Sequence, residues 1–256
     1  MIVLLNTSKT MTITSSNVVA STPTHQHKAL ELDHILKTYS VKKLQTTMHL
    51  SPALAQKTYT LIRDWSINPQ QQSPALDAFI GDIFTGVNAP SLSPSDRSYA
   101  QENLRIVSGL YGLLRPLDGI MPYRLEMCYR LKGKAISLYS FWGDTIVKQL
   151  PNGLIVNLAS VEYAKAFKPY LAKRTIIEPQ FLTLMPGQSQ PKFVALHAKI
   201  ARGAFARWLI QTKNTDPNQM EGFNLLGYSF DPHLSTSMQP AFIRQGPLLK
   251  SHITYK

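Results

Sequence analysis

Residues 2–10 read IVLLNTSKT, a short apolar run followed by five polar residues. The apolar part, Ile2–Leu5, predicts a buried β-strand, and the polar part predicts a loop at the end of that strand. No run of about 18 consecutive apolar residues occurs in the chain, so the sequence predicts no membrane span. We therefore expect a cytoplasmic protein with no membrane partner, in which a core strand ends beside Lys9.

Helices and strands alternate irregularly along the rest of the chain. Helix starts are clearest at Ser51-Pro52 and Ser93-Pro94, where a capping serine precedes a proline in the first turn. We predict helices over 29–39, 51–65, 93–107, 161–167 and 197–212, and a further helix that begins near residue 41. We predict strands over 2–5, 153–158, 175–184 and 193–196. This mixture predicts the α+β class, with residues 1–256 forming one domain of mixed sheet and surrounding helices.

The chain is strongly basic. It has 27 Lys and Arg residues against 15 Asp and Glu residues, for a formal net charge of +12. The excess is concentrated between residues 129 and 213, where thirteen bases stand against three acids. A positive charge of this size and unevenness is typical of proteins that bind polyanions. A protein with many solvated lysines would have the same total, so the charge alone does not identify the partner.

Several common chemistries are excluded by what the sequence lacks. Cys128 is the only cysteine, which excludes an intramolecular disulfide and a thiolate-rich zinc or iron–sulfur site. The GxxxxGK[ST], GxGxxG, GxSxG and HExxH motifs are absent. The single Glu-x-x-His at 31–34 lacks the second pair that a di-iron site requires. We therefore expect neither a metal nor a cofactor.

The predicted helix over 197–212 separates apolar from basic side chains. On a helical wheel, Ile200 and most other apolar residues lie on one half, whereas Lys199, Arg202 and Arg207 lie on the other half. No acidic residue accompanies these cations, although surface helices normally interleave charges of both signs. The pattern favours an anion-binding face, and an ordinary amphipathic surface helix remains the alternative.

Seven short motifs place charged and aromatic residues beside turns, where sites tend to lie. They are NTSKT (6–10), SGLYGLLRPLD (108–118), PYRLEM (122–127), FWGD (141–144), NLASVEY (157–163), AKIARG (198–203) and GFNLLGYSFD (222–231). Together they resemble the YaaA family of bacterial peroxide-stress proteins. The first motif has Asn6-Thr7 where the family usually has Ser-Pro, and residues 232–256 form a variable tail that matches little of the family pattern.

The resemblance implies an α+β architecture called the cantaloupe fold and a cytoplasmic protein induced by hydrogen peroxide. It also implies binding to double-stranded and branched DNA through a positively charged cleft and a helix-hairpin-helix element, with the result that iron-driven damage is limited. No protein partner follows from it.

Under this hypothesis, cations that are distant in sequence line one basic cleft and bind phosphates with little sequence preference. The predicted cleft residues are Lys9, Arg115, Arg124, Lys165, Lys168, Lys199 and Arg202. The helix pair within 41–65 is the first candidate for the helix-hairpin-helix element, and the segment 101–115 is the second. In the first candidate, the residues expected to meet DNA are Lys42, Lys43, Ser51 and Lys57.

A second hypothesis is that the same motifs form an enzyme site for a small anionic or phosphorylated substrate. Its cations would be Lys9, Arg115, Arg124 and Lys199, its general base Glu126 or Glu162, and its orienting donor Tyr123 or Tyr163. This hypothesis predicts a deep pocket in which one of the two glutamates lies within hydrogen-bond reach of an arginine. Simple ion pairing of the glutamates with the arginines is the structural alternative.

Overall fold

The computed structural model describes residues 1–13, 19–68, 71–131, 136–248 and 253. The strands are β1 (Ile2–Asn6), β2 (Thr10–Met11), β3 (Ser73–Pro74), β4 (Phe79–Ile80), β5 (Leu104–Ser108), β6 (Gly112–Leu114), β7 (Gly119–Ile120), β8 (Arg130–Leu131), β9 (Ile136–Ser137), β10 (Ile155–Asn157), β11 (Ile176–Ile177), β12 (Gln180–Leu184), β13 (Tyr228–Thr236) and β14 (Gln239–Gln245). The helices are α1 (Gln26–Lys37), α2 (Val41–Met48), α3 (Pro52–Asp64), α4 (Ala75–Ala78), α5 (Asp82–Val87), α6 (Pro94–Asn103), α7 (Leu138–Trp142), α8 (Thr145–Lys148), α9 (Val161–Ala164) and α10 (Ala195–Thr212). The predicted α+β class is confirmed.

The predicted first strand is the centre of the main sheet. This five-stranded sheet has the order β11-β10-β1-β5-β6, in which β6 alone runs antiparallel to its neighbour. Leu4 of β1 pairs with Arg105 of β5 on one side and with Asn157 of β10 on the other. All five residues of β1 are buried, as expected for the central strand of a parallel sheet.

The topology places three polar loops at one edge of this sheet. The carboxyl ends of β1, β5 and β10 point the same way, and the loops that leave them begin at Asn6, Ser108 and Asn157. From β1 the chain reaches β5 on one side and later returns to β10 on the other side. In open sheets of this kind, ligands bind beside the carboxyl ends of the strands where the strand order reverses. The motifs that begin at these three residues therefore meet at a favourable position.

A second sheet packs against the long helix α10. Its strand order is β12-β14-β13, and its aromatic side chains form edge and tilted contacts with Phe205 of α10. Phe181 of β12, for example, lies 5.6 Å from Phe205 of α10, measured between ring centroids. Phe181, Phe205 and Leu4 of the first sheet belong to one hydrophobic cluster. Helix α10 therefore positions the second sheet relative to the rest of the described core.

The helix predicted over 93–107 ends earlier than expected. Helix α6 stops at Asn103, and Leu104–Ser108 instead form β5, which pairs with β1. A short apolar run fits a helix and a buried strand equally well, and here pairing with a distant strand decided between them. The prediction that the segment 101–115 could form the helix-hairpin-helix element is therefore wrong, because most of this segment is the β5–β6 hairpin.

Other predicted helices and strands also differ in their bounds from those in the structure. The strand predicted over 193–196 is wrong, because α10 begins at Ala195. The strand predicted over 175–184 is two strands that belong to different sheets, and Pro179 lies between them. The helix predicted over 161–167 is confirmed only as far as Ala164.

The helix pair within 41–65 is confirmed as α2 and α3. His49, Leu50 and Ser51 connect the two helices, and the Ser51 side chain accepts a hydrogen bond from the Leu54 amide, as predicted for a capping serine. No described helix is both long and apolar enough to cross a bilayer. Lys132 and Lys134, which belong to the base-rich stretch, lie outside the described residues, as do 249–252 and 254–256 of the tail.

Candidate functional site

Side-chain hydrogen bonds tie the loop after β1 to the loop after β10. The Ser160 amide donates to Asn6 Oδ1 at 2.8 Å, and Thr7 Oγ1 donates to the Tyr163 hydroxyl at 3.0 Å. Asn6, Thr7 and Tyr163 are all buried. Asn6 and Thr7 are the positions at which this sequence departs from the Ser-Pro of the family pattern, and here both make contacts through their polar side chains.

Glu126 is a buried carboxylate with three polar neighbours. It is 8% exposed, and its Oε2 lies 2.9 Å from the Lys9 ammonium. The Tyr129 hydroxyl donates to Glu126 Oε1 at 2.6 Å. Arg124 Nη2 lies 3.8 Å from the same oxygen, and Arg124 Nη1 donates to the Lys9 carbonyl oxygen at 3.3 Å. The loop after β1 and the segment 122–127 are therefore joined by the Lys9–Glu126 ion pair and by the hydrogen bond from Arg124 to Lys9.

Glu162 and Cys128 lie beside this carboxylate. Burial, the Glu162 carboxylate and the Glu126 charge together raise the pKa of the Cys128 thiol to about 11. Burial also raises the pKa of the Tyr163 hydroxyl, and the charges of Glu162 and Glu126 raise it further. Thr7 is two residues from Lys9 and Glu162 precedes Tyr163, so the Thr7–Tyr163 hydrogen bond brings the segments that carry Lys9 and Glu162 together. We call Lys9, Arg124, Glu126, Cys128, Glu162 and Tyr163 the Glu126 cluster.

Two polar atoms of the Glu126 cluster are buried without a hydrogen-bond partner among the described residues. They are Nε of Arg124, a donor, and Oε1 of Glu162, an acceptor. Buried polar atoms in native proteins nearly always have a partner, and a missing partner calls for an explanation such as a ligand or an ordered water. The Lys9 side chain is 63% exposed and is the solvent-facing part of the cluster.

A cavity adjoins the carboxyl end of β10 and the segment that follows it. It has a volume of about 490 Å³, and its walls include Lys165, Lys168 and Arg202 together with Glu178. We call these four residues the basic groove. Phe193, an exposed aromatic residue, also lines the cavity. Three of the cations predicted for the cleft are therefore brought together, with one carboxylate among them.

Glu178 organises the charges of the basic groove. Its carboxylate accepts from Lys168 Nζ and from Asn157 Nδ2, each at 2.8 Å. Burial acts to raise the pKa of Glu178, but the bonds from Lys168 and Asn157 and the charges of Lys168 and Arg202 outweigh it and lower the pKa. Burial lowers the pKa of Arg202, and Glu178 opposes that effect. Glu178 thus fixes the position of Lys168, and it interacts with Arg202 through charge.

The remaining predicted cations lie elsewhere. Lys199 is exposed on α10, one turn before Arg202. Arg115 pairs with Asp118 at 3.1 Å and donates to the Thr22 carbonyl oxygen. It follows β6, and because β6 runs antiparallel to β5, the chain at Arg115 has turned away from the edge that carries Lys9. The structure does not bring Arg115 to the Glu126 cluster.

The basic face expected on helix 197–212 is wrong in one respect. Arg207 is 3% exposed, and its guanidinium donates to the carbonyl oxygens of Val87 and Asn88 and to the Ser91 hydroxyl. Helix α10 is buried on most of its circumference because α5, α6 and β12 all contact it. Arg207 therefore satisfies backbone groups of the protein and is not part of an anion-binding face.

The helix pair α2–α3 lies close to the Glu126 cluster. The Tyr129 hydroxyl oxygen, which binds Glu126, is also 3.3 Å from the carbonyl oxygen of Met48, the last residue of α2. Lys42, Lys43 and Lys57 are all exposed on this pair, and Ser51 is exposed at the start of α3. Lys43 Nζ lies over the Tyr39 ring, 4.3 Å from its centroid.

Sequence reasoning missed four residues of these sites. Cys128 and Tyr129 directly follow the motif that contains Glu126, and Asn157 and Glu178 meet across two strands. Glu178 had a weak signal, as one of the few acids in a base-rich stretch. The enzyme hypothesis required a glutamate within hydrogen-bond reach of an arginine, whereas Glu126 and Arg124 are separated by 3.8 Å. The 490 Å³ cavity is lined by neither Glu126 nor Glu162.

Comparisons with known proteins agree with the motifs. A family model described as peroxide stress protein YaaA matches residues 1–234. A UPF0246 protein of Salinispora tropica is 48% identical over 248 residues, which cover 96% of this chain and 94% of the relative. A UPF0246 protein of Roseobacter denitrificans is 38% identical over 96% of this chain and 99% of its own length. A UPF0246 protein of Marinomonas sp. (strain MWYL1) is 39% identical over 94% of this chain and 96% of its own length. The chain therefore belongs to the family of the peroxide stress protein YaaA.

Proposed function

We propose that this protein binds double-stranded and branched DNA with low sequence specificity during peroxide stress, and thereby limits iron-driven damage to the DNA. The observation that carries the proposal is the basic groove, where Lys165, Lys168 and Arg202 surround a single carboxylate. Membership of a peroxide stress family and the net charge of +12 support it. Cations that neutralise phosphates release counterions, which gives affinity without base recognition.

Within the proposal, Lys199 extends the basic groove along α10. Residues three apart on a helix are neighbours on its surface, so Lys199 and Arg202 present their charges on one side. Lys9 and Arg124 belong to the Glu126 cluster, where Glu126 balances part of their charge. The exposed Lys42, Lys43 and Lys57, with the α3 start at Ser51, form a second contact in the role of a helix-hairpin-helix element.

The test removes Lys165 and Lys199 together, by Lys165→Gln and Lys199→Gln. Both side chains are exposed, and neither has an ion-pair partner within the described part of the chain, so the variant leaves no stranded carboxylate. Each lost phosphate contact lowers the slope of log affinity against log salt by about 0.9. We expect weaker duplex binding and a slope that is smaller by up to about 1.8. Electrophoretic mobility shift titrations over a salt series measure both quantities.

The matched control carries Lys148→Gln and Lys213→Gln, which change the net charge equally. Lys148 pairs with Asp144 on the surface, and Lys213 follows the last turn of α10. The proposal requires the control to keep the wild-type slope. Equal slopes for the two double variants would show that the net charge, and not the basic groove, determines binding.

A further inference from the structure

The Glu126 cluster has a charge balance that differs from that of the basic groove. Lys9 and Arg124 lie beside the Glu126 carboxylate, and Glu162 precedes Tyr163, whose hydroxyl is bound by Thr7 of the loop that carries Lys9. Two close carboxylates repel the continuous negative charge of a nucleic acid backbone. They do not exclude a small molecule with one anionic group, provided that the molecule also offers a donor to a carboxylate. The cluster therefore suits a different kind of ligand from the groove.

The unpartnered atoms define what such a ligand must carry. Within the described part of the chain, Arg124 Nε is a buried donor without an acceptor, and Glu162 Oε1 is a buried acceptor without a donor. A ligand that fills both positions needs an acceptor group near Arg124 and a hydroxyl or amino donor near Glu162. A bare anion supplies the acceptor without the donor, and a neutral sugar supplies hydroxyl donors without an anionic acceptor for the two cations.

Lys9 limits the choice of anion. Its ammonium is already paired with the Glu126 carboxylate, so an incoming anion must compete with that carboxylate. A phosphate monoester carries about −1.5 to −2 charges at neutral pH and three acceptor oxygens, and so it competes better than a single carboxylate. The guanidinium of Arg124 can then bind the same phosphate through its planar set of donors.

We infer that the Glu126 cluster binds a small phosphate monoester that also carries a hydroxyl or amino donor, with Lys9 and Arg124 on the phosphate and Glu162 on the donor. In this arrangement Glu126 is a positioning residue that holds Lys9 at the edge of the sheet. The Tyr129 hydroxyl fixes Glu126, and the Thr7–Tyr163 hydrogen bond joins the two loops that carry Lys9 and Glu162. This site is independent of DNA binding in the basic groove.

Ribose 5-phosphate is the probe, since it combines a monoester with hydroxyl donors. Cys128 supplies a built-in reporter, because it is the only cysteine, it is exposed, and its thiol lies beside Glu162. We expect ribose 5-phosphate to slow alkylation of Cys128 by iodoacetamide in a saturable way, while ribose alone has no effect. Isothermal titration calorimetry should give the same dissociation constant.

Variants separate the two halves of the site. Lys9→Gln and Arg124→Gln should each weaken ribose 5-phosphate binding at least about tenfold, whereas the surface variant Lys148→Gln should not. Glu162→Gln should remove the preference for ribose 5-phosphate over inorganic phosphate in calorimetry. Lys9 is largely exposed, so Lys9→Gln tests the inference even if Arg124→Gln does not fold. The inference is overturned if wild type shows neither saturable protection nor binding heat, or if Lys9→Gln binds as tightly as Lys148→Gln.

Discussion

At the scale of single residues, the chemistry of the candidate site depends on contacts between residues that are far apart in the sequence. Arg124 donates to the backbone of Lys9 across 115 positions, and Thr7 binds Tyr163 across 156. The Thr7–Tyr163 contact pairs two buried hydroxyl groups, which avoids the penalty of an unpaired buried group. The exceptions, Arg124 Nε and Glu162 Oε1, are therefore informative.

The Cys128 thiol gives a pH prediction at this scale. Its pKa is raised to about 11 by burial and by the charges of Glu162 and Glu126, so little thiolate exists at neutral pH. Only the thiolate reacts with iodoacetamide. We expect alkylation to be slow near neutrality and to accelerate until the pH approaches about 11. Glu162→Gln removes one of the charges that raise this pKa, and it should speed alkylation at moderately alkaline pH.

The matched control is Glu221→Gln, an exposed glutamate in the 3-10 helix 217–222. It changes the net charge by the same amount and should leave the alkylation profile of wild type unchanged. Mass spectrometry of the intact protein follows the reaction, since Cys128 is the only cysteine. A wild-type profile with its midpoint near the ordinary value for cysteine would contradict the placement of the thiol between the two carboxylates.

At the scale of elements, the crossing of α5 and α10 holds the longest of the described helices in place. Gly86 of α5 and Gly203 of α10 face each other's backbones. A Cβ atom on Gly86 would overlap the Ile200 carbonyl oxygen, and a Cβ atom on Gly203 would overlap the Ile83 carbonyl oxygen. The two helices therefore approach closely only because both positions lack a side chain.

Gly203→Ala should therefore lower the free energy of unfolding by at least about 2 kcal/mol, because rigid backbone must shift to admit the methyl group. Urea denaturation followed by tryptophan fluorescence measures the change. The control is Gly222→Ala, whose added methyl group would lie 3.7 Å from the Trp208 ring, an ordinary contact. If both variants unfold at the same urea concentration, the helices do not cross at the separation described.

At the scale of the whole molecule, His197 connects α10 to two other parts of the chain. Its Nδ1 lies 2.9 Å from the Thr183 hydroxyl of β12, and its Nε2 accepts from the Leu248 amide at 3.1 Å. Because Nε2 accepts, the ring is neutral and the proton resides on Nδ1. Burial, and then the charge of Arg244, lower the pKa of His197 below 6.5.

This lowered pKa predicts that the protein is acid-sensitive. Above pH 6.5 His197 is neutral in the folded and unfolded chain, so its full contribution to stability is present. As the pH falls from 6.5 towards the lowered pKa, the unfolded chain takes up the proton first and stability is lost. Thermal unfolding at about pH 7.5 and about pH 5.5 should show a larger decrease for wild type than for His197→Gln. Equal decreases would contradict the neutral, doubly bonded ring.

The distribution of positive charge is also a property of the whole molecule. Lys165, Lys168 and Arg202 gather around one cavity, whereas Arg115 is engaged with Asp118 and Arg207 is buried. The cations predicted for the cleft and for the basic face of α10 are thus divided among a groove, a charge-balanced cluster and structural positions. For this reason the proposed DNA contact is tested at Lys165 and Lys199 and not by general reduction of charge.

The sequence by itself determined the features that depend on neighbouring residues. The strand at Ile2–Leu5 and the helix starts at Ser51 and Ser93 are confirmed, because apolar runs and capping side chains act within a few positions. The motifs likewise sufficed to identify the family, since they lie in order along the chain.

Only the tertiary structure decided which of two locally acceptable states a segment adopts and which charges meet. Leu104–Ser108 form a strand because they pair with β1 in the sheet. Arg207 is buried because α5 and α10 cross closely. Lys9 met Glu126 because parallel strands bring their carboxyl ends to one edge. Strand pairing and side-chain burial depend on distant parts of the chain, so they cannot be predicted from local periodicity or composition.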